Sequence, residues 1–307
     1  MISFVIPLHN HLSATQAMLA SLREFMPTGI DHEIIFVDDT STDGTREWLE
    51  SLKDPCIRFL INDVNRGYAA SNNVGVNMAR GDVLALLNND VLLTPRWLEP
   101  MLAALHSTAL KAGLVGNVQY RVEDGEVDHA GVELSPLGQL QHVKTIDHEP
   151  IIKPFAVTGA CMLLRKADFI RAGGFDESYV NGCEDIDLCF KFQALNRRVF
   201  LASKSRIHHH VSLSRKTNTL QDFQNSRLLF SRWRTRIKNE LSRNWHDLLA
   251  AGPSTYSNIW PEPIAQEFLS TPWALSLYMA ETLLRREEEY WARHLDVDIK
   301  CSSLDFP

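Results

Sequence analysis

Short apolar runs rich in Val, Ile and Leu alternate with amphipathic stretches through the first third of the chain. Residues 2–7, 33–38, 57–61 and 83–87 are apolar at most positions, the pattern of buried strands. Between them, residues 13–25, 45–52 and 69–79 carry apolar side chains at helical spacing. The alternation predicts an α/β fold, a mostly parallel central sheet flanked by helices. In such sheets ligands bind beyond the carboxyl ends of the strands, so the residues at strand ends are the first to inspect.

From 111 to about 153 the pattern is less regular, and Gly113, Gly116, Gly125, Gly131 and Gly138 mark turns. A strand at 160–164 then feeds a short helix at 166–172, and a further helix starts near Glu184 and runs to Leu195. A short strand is expected at 198–202, followed by a polar turn. Residues 212–243 are polar and basic, with Leu229, Trp233 and Ile237 at i, i+4 and i+8. The remaining tail reads as helical and holds Trp245, Trp260, Trp273 and Trp291. The expected division is a sheet domain over 1–212 and a mainly helical extension over 213–307.

Composition narrows the classes. An apolar fraction of 45% and a charged fraction of 22% over 307 residues describe an ordinary globular chain. A net charge of −7 argues against a dedicated nucleic-acid binder. Cys56, Cys161, Cys183, Cys189 and Cys301 form no C-x-x-C pair, so neither a disulfide framework nor a zinc site is indicated, and a reducing cytosol fits. The first residues lack a basic stretch and turn polar at His9-Asn10, unlike a signal peptide. No apolar run approaches the roughly 20 residues that span a bilayer, so membrane association is expected to be peripheral.

Three strand ends carry unusual polarity. The second strand closes in Val37-Asp38-Asp39-Thr40-Ser41-Thr42-Asp43-Gly44-Thr45. A carboxylate there can accept the N3–H of a pyrimidine or a ribose hydroxyl; a turn followed by a helix cap explains the run equally well. The third strand is followed by Asn65-Arg66-Gly67-Tyr68 and Ser71-Asn72-Asn73, which suit a base edge and a diphosphate, or ordinary turn chemistry. The fourth strand ends in Asn88-Asn89-Asp90, polar groups that are costly after a buried run unless they find partners. A hard divalent ion bound to phosphates would supply them, with Asp90 as the one carboxylate; a simple turn is the alternative.

Further along, Gly173-Gly174-Phe175-Asp176-Glu177 leads to Glu184-Asp185-Ile186-Asp187-Leu188. This delivers adjacent carboxylates to the first turn of a helix, where unpaired N–H groups and the helix dipole favour negative charge. One carboxylate at the mouth of a cleft can act as a general base while its neighbour holds substrate. Plain capping explains one acid but not the whole cassette. His208-His209-His210 follows; on an extended segment either His208 and His210, or His209 alone, face one site.

Taken in order, and together with Val5-Ile6-Pro7-Leu8-His9-Asn10 and Thr158-Gly159-Ala160, these pieces resemble a family 2 glycosyltransferase of the GT-A fold over about residues 1–240. The resemblance implies a nucleotide-sugar half over about 1–110 and an acceptor half over about 111–212. It implies a UDP- or dTDP-linked sugar donor, a divalent metal (Mn2+ or Mg2+) and inversion at the anomeric carbon. It also implies a glycan or lipid-linked acceptor, and work in cell-surface polysaccharide synthesis in the cytoplasm or at the inner face of the membrane. Pro7, His9, Asp38, Asn65 and Arg66 would line the nucleotide site. Asn88, Asn89 and Asp90 stand where the family has its D-x-D motif, with Asp90 and His209 on the metal. Asp185 would be the base, with Gly159, Ala160 and Glu184 holding the acceptor.

Two positions depart from the family pattern. Asn88 replaces the first D-x-D carboxylate, as in rhamnosyl- and galactofuranosyl-type members, and His9 replaces the usual tyrosine. The 227–238 stretch, with Arg227, Arg232, Arg234, Arg236 and Lys238, reads either as a membrane-facing basic helix or as a helix packed on the rest with a solvated basic edge. The later tryptophans imply a small helical core or a homodimer contact. A sugar-nucleotidyltransferase would need a glycine-rich phosphate loop where this chain has Leu8-His9-Asn10-His11. A non-catalytic nucleotide-sugar binder would have no need of both Asp90 and the Glu184-Asp185 pair.

Overall fold

The computed structural model describes residues 1–210, 220–251, 272–291 and 293. The first strands and helices are β1 (Ile2–Leu8), α1 (Leu12–Glu24), β2 (His32–Asp38), α2 (Thr45–Ser51), β3 (Ile57–Ile61), α3 (Gly67–Met78) and β4 (Val83–Leu87). Then come β5 (Val91–Leu93), α4 (Leu98–His106), β6 (Ala112–Arg121), β7 (Val127–His129), β8 (Val132–Leu134), β9 (Leu140–His142) and β10 (Ile151–Ile152). After these follow β11 (Cys161–Arg165), α5 (Lys166–Arg171), α6 (Glu184–Ala194) and β12 (Arg198–His209). The helices α7 (Leu220–Arg232), α8 (Arg234–Ala251) and α9 (Pro272–Trp291) complete the described chain.

The main sheet runs β10-β12-β6-β11-β4-β1-β2-β3. Strands β4, β1, β2 and β3 are mutually parallel, as the βαβ alternation predicts, while β11 inserts antiparallel between β4 and β6. Both faces of β1 and β2 are buried. Phe4, Ile6 and Phe36 pack with Met18 and Leu22 of α1 and with Trp97. The opposite face carries Val5 and Val37 against α3, where Gly75 leaves so little room that a Cβ would stand 2.3 Å from Val5 Cγ1. Continuous apolar strands are what a sheet covered on both sides requires.

Two expectations for the irregular region need correction. The stretch after 111 holds a ten-residue strand, β6, whose glycines Gly113 and Gly116 are not turns: a Cβ there would strike Phe192 and Arg197, or Val157. The strand expected at 198–202 extends to His209 through a bulge, because β12 carries three extra residues, Ser203 to Ser205, between the pairs Ala202↔Asn117 and Arg206↔Val118. Ser203 Oγ donates to Glu149 O at 2.6 Å, and Ser205 Oγ donates to Trp97 O, so polar residues that read as a turn are tied inside the sheet.

The chain divides into two compact units, Met1–Glu133 with His142–Lys216, and Leu134–Gln141 with Thr217–Pro307. The boundary expected at 212/213 lies outside the described residues, as do Trp260 and Cys301. In the second unit Trp245, Leu249 and Met279 form a small core between α8 and α9, and Trp245 Nε1 donates to Pro136 O at 2.8 Å. Two of the basic residues pair within this unit, Arg234 with Glu288 at 2.9 Å and Lys238 with Glu281 at 2.5 Å. No helix among the described residues is long and apolar enough to cross a membrane.

Candidate active site

The parallel strands deliver their carboxyl ends to one edge of the sheet, and β11 enters beside them because Cys161 pairs with Leu87. Residues 9–10, 38–43, 62–67, 88–90 and 158–160 therefore converge on that edge. At the β1 end, Asn10 and His11 are both left-handed, with φ of 58° and 62°. Asn10 is held there by Ser41, whose Oγ accepts its N–H at 2.7 Å, and by Thr42, whose N–H reaches Asn10 Oδ1 at 2.8 Å. His9 is exposed, and its Nδ1 lies 2.8 Å from Asp39 O. A carbonyl only accepts, so Nδ1 carries the proton.

The two aspartates at the β2 end behave differently. Asp39 is buried and its carboxylate accepts three donors: Asn62 Nδ2 at 2.8 Å, Arg66 N–H at 2.9 Å and Gly67 N–H at 2.8 Å. Asp38 accepts only long bonds from Ser41 N–H, at 3.3 and 3.4 Å, and is sealed from solvent in this structure. The sequence pattern points to Asp38 and not to Asp39, although the doubled aspartate is the available signal. Asn65 Nδ2 sits 3.4 Å from Asp39 O, next to His9. Arg66 is exposed, and no acid among the described residues pairs with it. His9, Asn65 and Arg66 thus line one open patch, with Pro7 and Asp38 beneath it in the sheet.

The β4 end splits its three residues. Asn89 turns inward and spends its amide on Asn10 O at 3.2 Å and Thr15 Oγ1 at 3.0 Å, so its visible work is to fasten the loop after β1. Asn88 Oδ1 is buried without a hydrogen-bond partner. Asp90 Oδ1 lies 3.2 Å from His209 Nε2, yet out of hydrogen-bonding alignment, and is likewise unsatisfied. Register explains the pairing: His209 stands opposite Val91, and His210 N–H donates to Asp90 O at 3.0 Å. Of the three histidines, His208 stacks near Tyr120 and His210 lies 3.6 Å from Glu123, leaving His209 as the one beside Asp90.

Orphaned buried oxygens next to an imidazole are what a divalent cation would satisfy, and carboxylate, amide oxygen and imidazole are all ligand types such ions accept. The donor set fits a metal, though thinly. Among the described residues no group of three or more His, Cys, Asp or Glu is arranged to hold one unaided. A substrate diphosphate would have to complete the shell.

The first turn of α6 carries Glu184, Asp185 and Asp187, behind Cys183 in a left-handed conformation. Glu184 is buried and accepts Gly182 N–H at 2.5 Å, closing its own loop. Asp187 is buried in an ion pair with Lys191 at 2.8 Å. Asp185 is more open: Oδ2 accepts Gly159 N–H at 2.9 Å and Oδ1 accepts Ile186 N–H at 2.8 Å. Ala160 O, one residue on, accepts Asn88 N–H at 3.0 Å. The hydroxyl of Tyr68 donates to Gly159 O at 2.9 Å. Burial pushes the Tyr68 phenol well above its usual range, and the charges of Glu184, Asp185 and Asp90 push it the same way. One phenol thus registers the carboxylates of both the β4 end and the α6 start.

Residues 3–170 match the family described as Glycosyl transferase family 2. The O-antigen biosynthesis protein RfbC of Myxococcus xanthus is 29% identical over 230-odd residues, covering 72% of this chain and 18% of that protein. The validoxylamine A glucosyltransferase of Streptomyces hygroscopicus subsp. jinggangensis is 28% identical over 63% of this chain and 51% of its own length. The chain thus spans about half or less of the length of these relatives. Among solved structures, GalNAc-T7 with UDP, GalNAc and Mn2+ superposes with a TM-score of 0.66 at 16% identity, over 98% of this chain and 57% of that one. The fold is the GT-A fold. With more than half of its residues inside the family match, the chain belongs to glycosyl transferase family 2.

Proposed function

We propose that the chain transfers a sugar from a UDP- or dTDP-linked donor to a hydroxyl of a glycan or lipid-linked acceptor, with inversion, in the synthesis of a cell-surface polysaccharide. The observation that carries this reading is the bond between Asp185 and Gly159 N–H, at 2.9 Å, one residue from the carbonyl that binds the Asn88 N–H. It sets a candidate base beside a candidate diphosphate site. The surface-polysaccharide role is supported by the names of relatives in O-antigen and succinoglycan biosynthesis. A place in the cytoplasm or on the inner face of the membrane goes with that role.

The nucleotide would lie over Pro7, His9, Asn65 and Arg66, with Asp38 reached when the residues above it yield. Arg66, which no acid among the described residues neutralises, would meet the diphosphate. Asp90 and His209, helped by Asn88, would hold a divalent ion, Mn2+ or Mg2+; bound there, it supplies positive charge to the leaving diphosphate. A carboxylate oxygen of Asp185 would take the acceptor hydroxyl's proton as that oxygen bonds to the anomeric carbon. The bond from that carbon to the diphosphate breaks on the opposite face, so a single displacement inverts the centre. A positioned base of this kind contributes about 10²–10⁴-fold in rate. Glu184 and the Gly159-Ala160 turn would shape the acceptor side.

The test has two arms. Thermal stabilisation by UDP, dTDP and GDP, with and without Mn2+, identifies the nucleotide. Sugar-nucleotide hydrolysis and transfer are then compared in the wild type and in Asp185→Asn. The proposal expects unchanged nucleotide binding and lost transfer in the variant; a variant that turns over like the wild type sinks the mechanism.

A further inference from the structure

We infer that Tyr68 is a positioning residue: its hydroxyl fixes Gly159, and Gly159 fixes the carboxylate of Asp185. The inference rests on the reading of Asp185 as the base. Gly159 is clamped on both sides, its carbonyl by Tyr68 at 2.9 Å and its N–H by Asp185 at 2.9 Å. The position admits no side chain, because a Cβ on Gly159 would stand 2.8 Å from the Tyr68 oxygen and 3.3 Å from Cζ. Glycine at 159 is therefore a condition of the tyrosine's approach as much as of the backbone's shape.

The phenol is itself held rigidly. Its ring packs edge-on against Phe175 at 5.7 Å, and Phe175 packs against Phe169 at 5.7 Å. The amide of Asn73, five residues along α3 from Tyr68, accepts Phe175 N–H and donates to Phe175 O, both at 3.0 Å. Burial keeps the phenol protonated, so it remains a donor to Gly159 throughout the working pH range. A short chain of contacts therefore runs from the start of α3 to the carboxylate. Tyr68 follows Arg66 by two residues, so the segment that would carry the diphosphate also carries the group that aims the base.

The variant that isolates the hydroxyl is Tyr68→Phe, which keeps the ring and its packing. UDP affinity is measured by calorimetry, and turnover as hydrolysis of whichever UDP-, dTDP- or GDP-hexose the wild-type chain cleaves. The inference expects UDP affinity and donor KM to stay within about twofold while kcat falls about 10- to 100-fold, the scale of a misplaced catalytic group. It also expects the acid limb of the kcat profile to move to higher pH, because Asp185 loses a firmly held N–H donor. Gly159→Ala, which displaces the phenol, should show the same split. A Tyr68→Phe protein with wild-type kcat and an unmoved acid limb overturns the inference, whatever its melting temperature. Asp185→Asn separates the two readings. If it is inactive while Tyr68→Phe is fully active, only the positioning role fails; if it retains turnover, the base assignment itself fails.

Discussion

Asp39 Oδ2 accepts the backbone N–H of Gly67 at 2.8 Å, so a carboxylate at the end of the second strand decides where the segment bearing Asn65 and Arg66 stands. The same carboxylate takes the N–H of Arg66 and the amide of Asn62. Its neighbour Asp38 makes no comparable set of bonds. Adjacent aspartates that look interchangeable in sequence have therefore divided the work, one holding a loop and one held back beneath it.

That division predicts different effects on stability for two conservative changes. Asp39→Asn replaces an acceptor oxygen by a donor against three donors, which should cost about 1–3 kcal/mol of stability. It should also weaken UDP binding through the loosened loop. Asp38→Asn should weaken UDP binding while leaving the melting temperature close to wild type. Calorimetric titration with UDP beside thermal melts checks both; equal UDP affinity in all three proteins would count against any role of this strand end in nucleotide binding.

The Asp90–His209 pair predicts a metal dependence that can be read without catalysis. His209→Ala should raise the Mn2+ concentration needed for half-maximal stabilisation by UDP about tenfold, equivalent to about 1.4 kcal/mol. His208→Ala and His210→Ala should leave that concentration unchanged, since those rings lie beside Tyr120 and Glu123. Titrating Mn2+ at fixed UDP distinguishes the three, and equal midpoints would remove His209 from the metal.

Gly75 offers a test of packing alone. Its Cα lies so near β1 that an added methyl would meet Val5 Cγ1 at 2.3 Å and Val37 Cγ2 at 3.2 Å. Gly75→Ala should destabilise by about 1–3 kcal/mol through overpacking. Combining it with Val5→Ala should recover part of that loss, because the two changes exchange volume across one contact. Urea unfolding of the single and double variants measures the coupling; strict additivity would mean that α3 shifts instead of pressing on Val5.

His129 predicts an acid sensitivity. Burial lowers its pKa from 6.5 to about 3, and the nearby His142 acts in the same direction. Its Nε2 accepts Thr158 N–H at 3.4 Å, which requires the neutral ring. The unfolded chain therefore binds one more proton than the folded one between about pH 3 and 6.5. The stabilisation from neutral His129 is complete above 6.5 and is lost as pH falls, by up to about 1.4 kcal/mol per unit. His129→Gln should flatten that part of the profile. Urea midpoints of the metal-free protein between pH 7 and 4.5 would show it, and parallel slopes in the two proteins would contradict it.

Much of the fold was legible because the apolar runs of β1 to β4 leave few alternatives to a covered parallel sheet. The helices α1, α2 and α3 fall within two residues of their expected bounds, for the same periodic reason. Legibility failed where polarity has two meanings. Ser203-Lys204-Ser205 reads as a turn because serines and a lysine suit solvent, yet both serines are bonded inside the sheet. Gly113 and Gly116 read as turn markers but mark places where α6 and the loop before β11 press on β6. The strand-end amides show the same ambiguity. Asn73 and Asn89 are spent on the protein's own backbone and side chains, whereas Asn65 stands in the open, and a sequence does not record which amide is already engaged. The late tail was legible only in outline, since its basic residues gave no sign that Glu281 and Glu288 of α9 would answer two of them.

The bulge in β12 acts as a phase selector. Side chains on a strand alternate between two faces, so the odd number of residues it adds determines which member of the run His208-His209-His210 arrives beside Asp90. The identity of that histidine is thus written four to six residues upstream, in two serines anchored to Glu149 and Trp97, and not in the histidines themselves. Deleting Lys204 would advance the frame by one step and bring a neighbouring imidazole to the same place. Three consecutive histidines give such a shift a ready substitute, so a change that would elsewhere remove the imidazole beside an aspartate would here exchange one imidazole for the next.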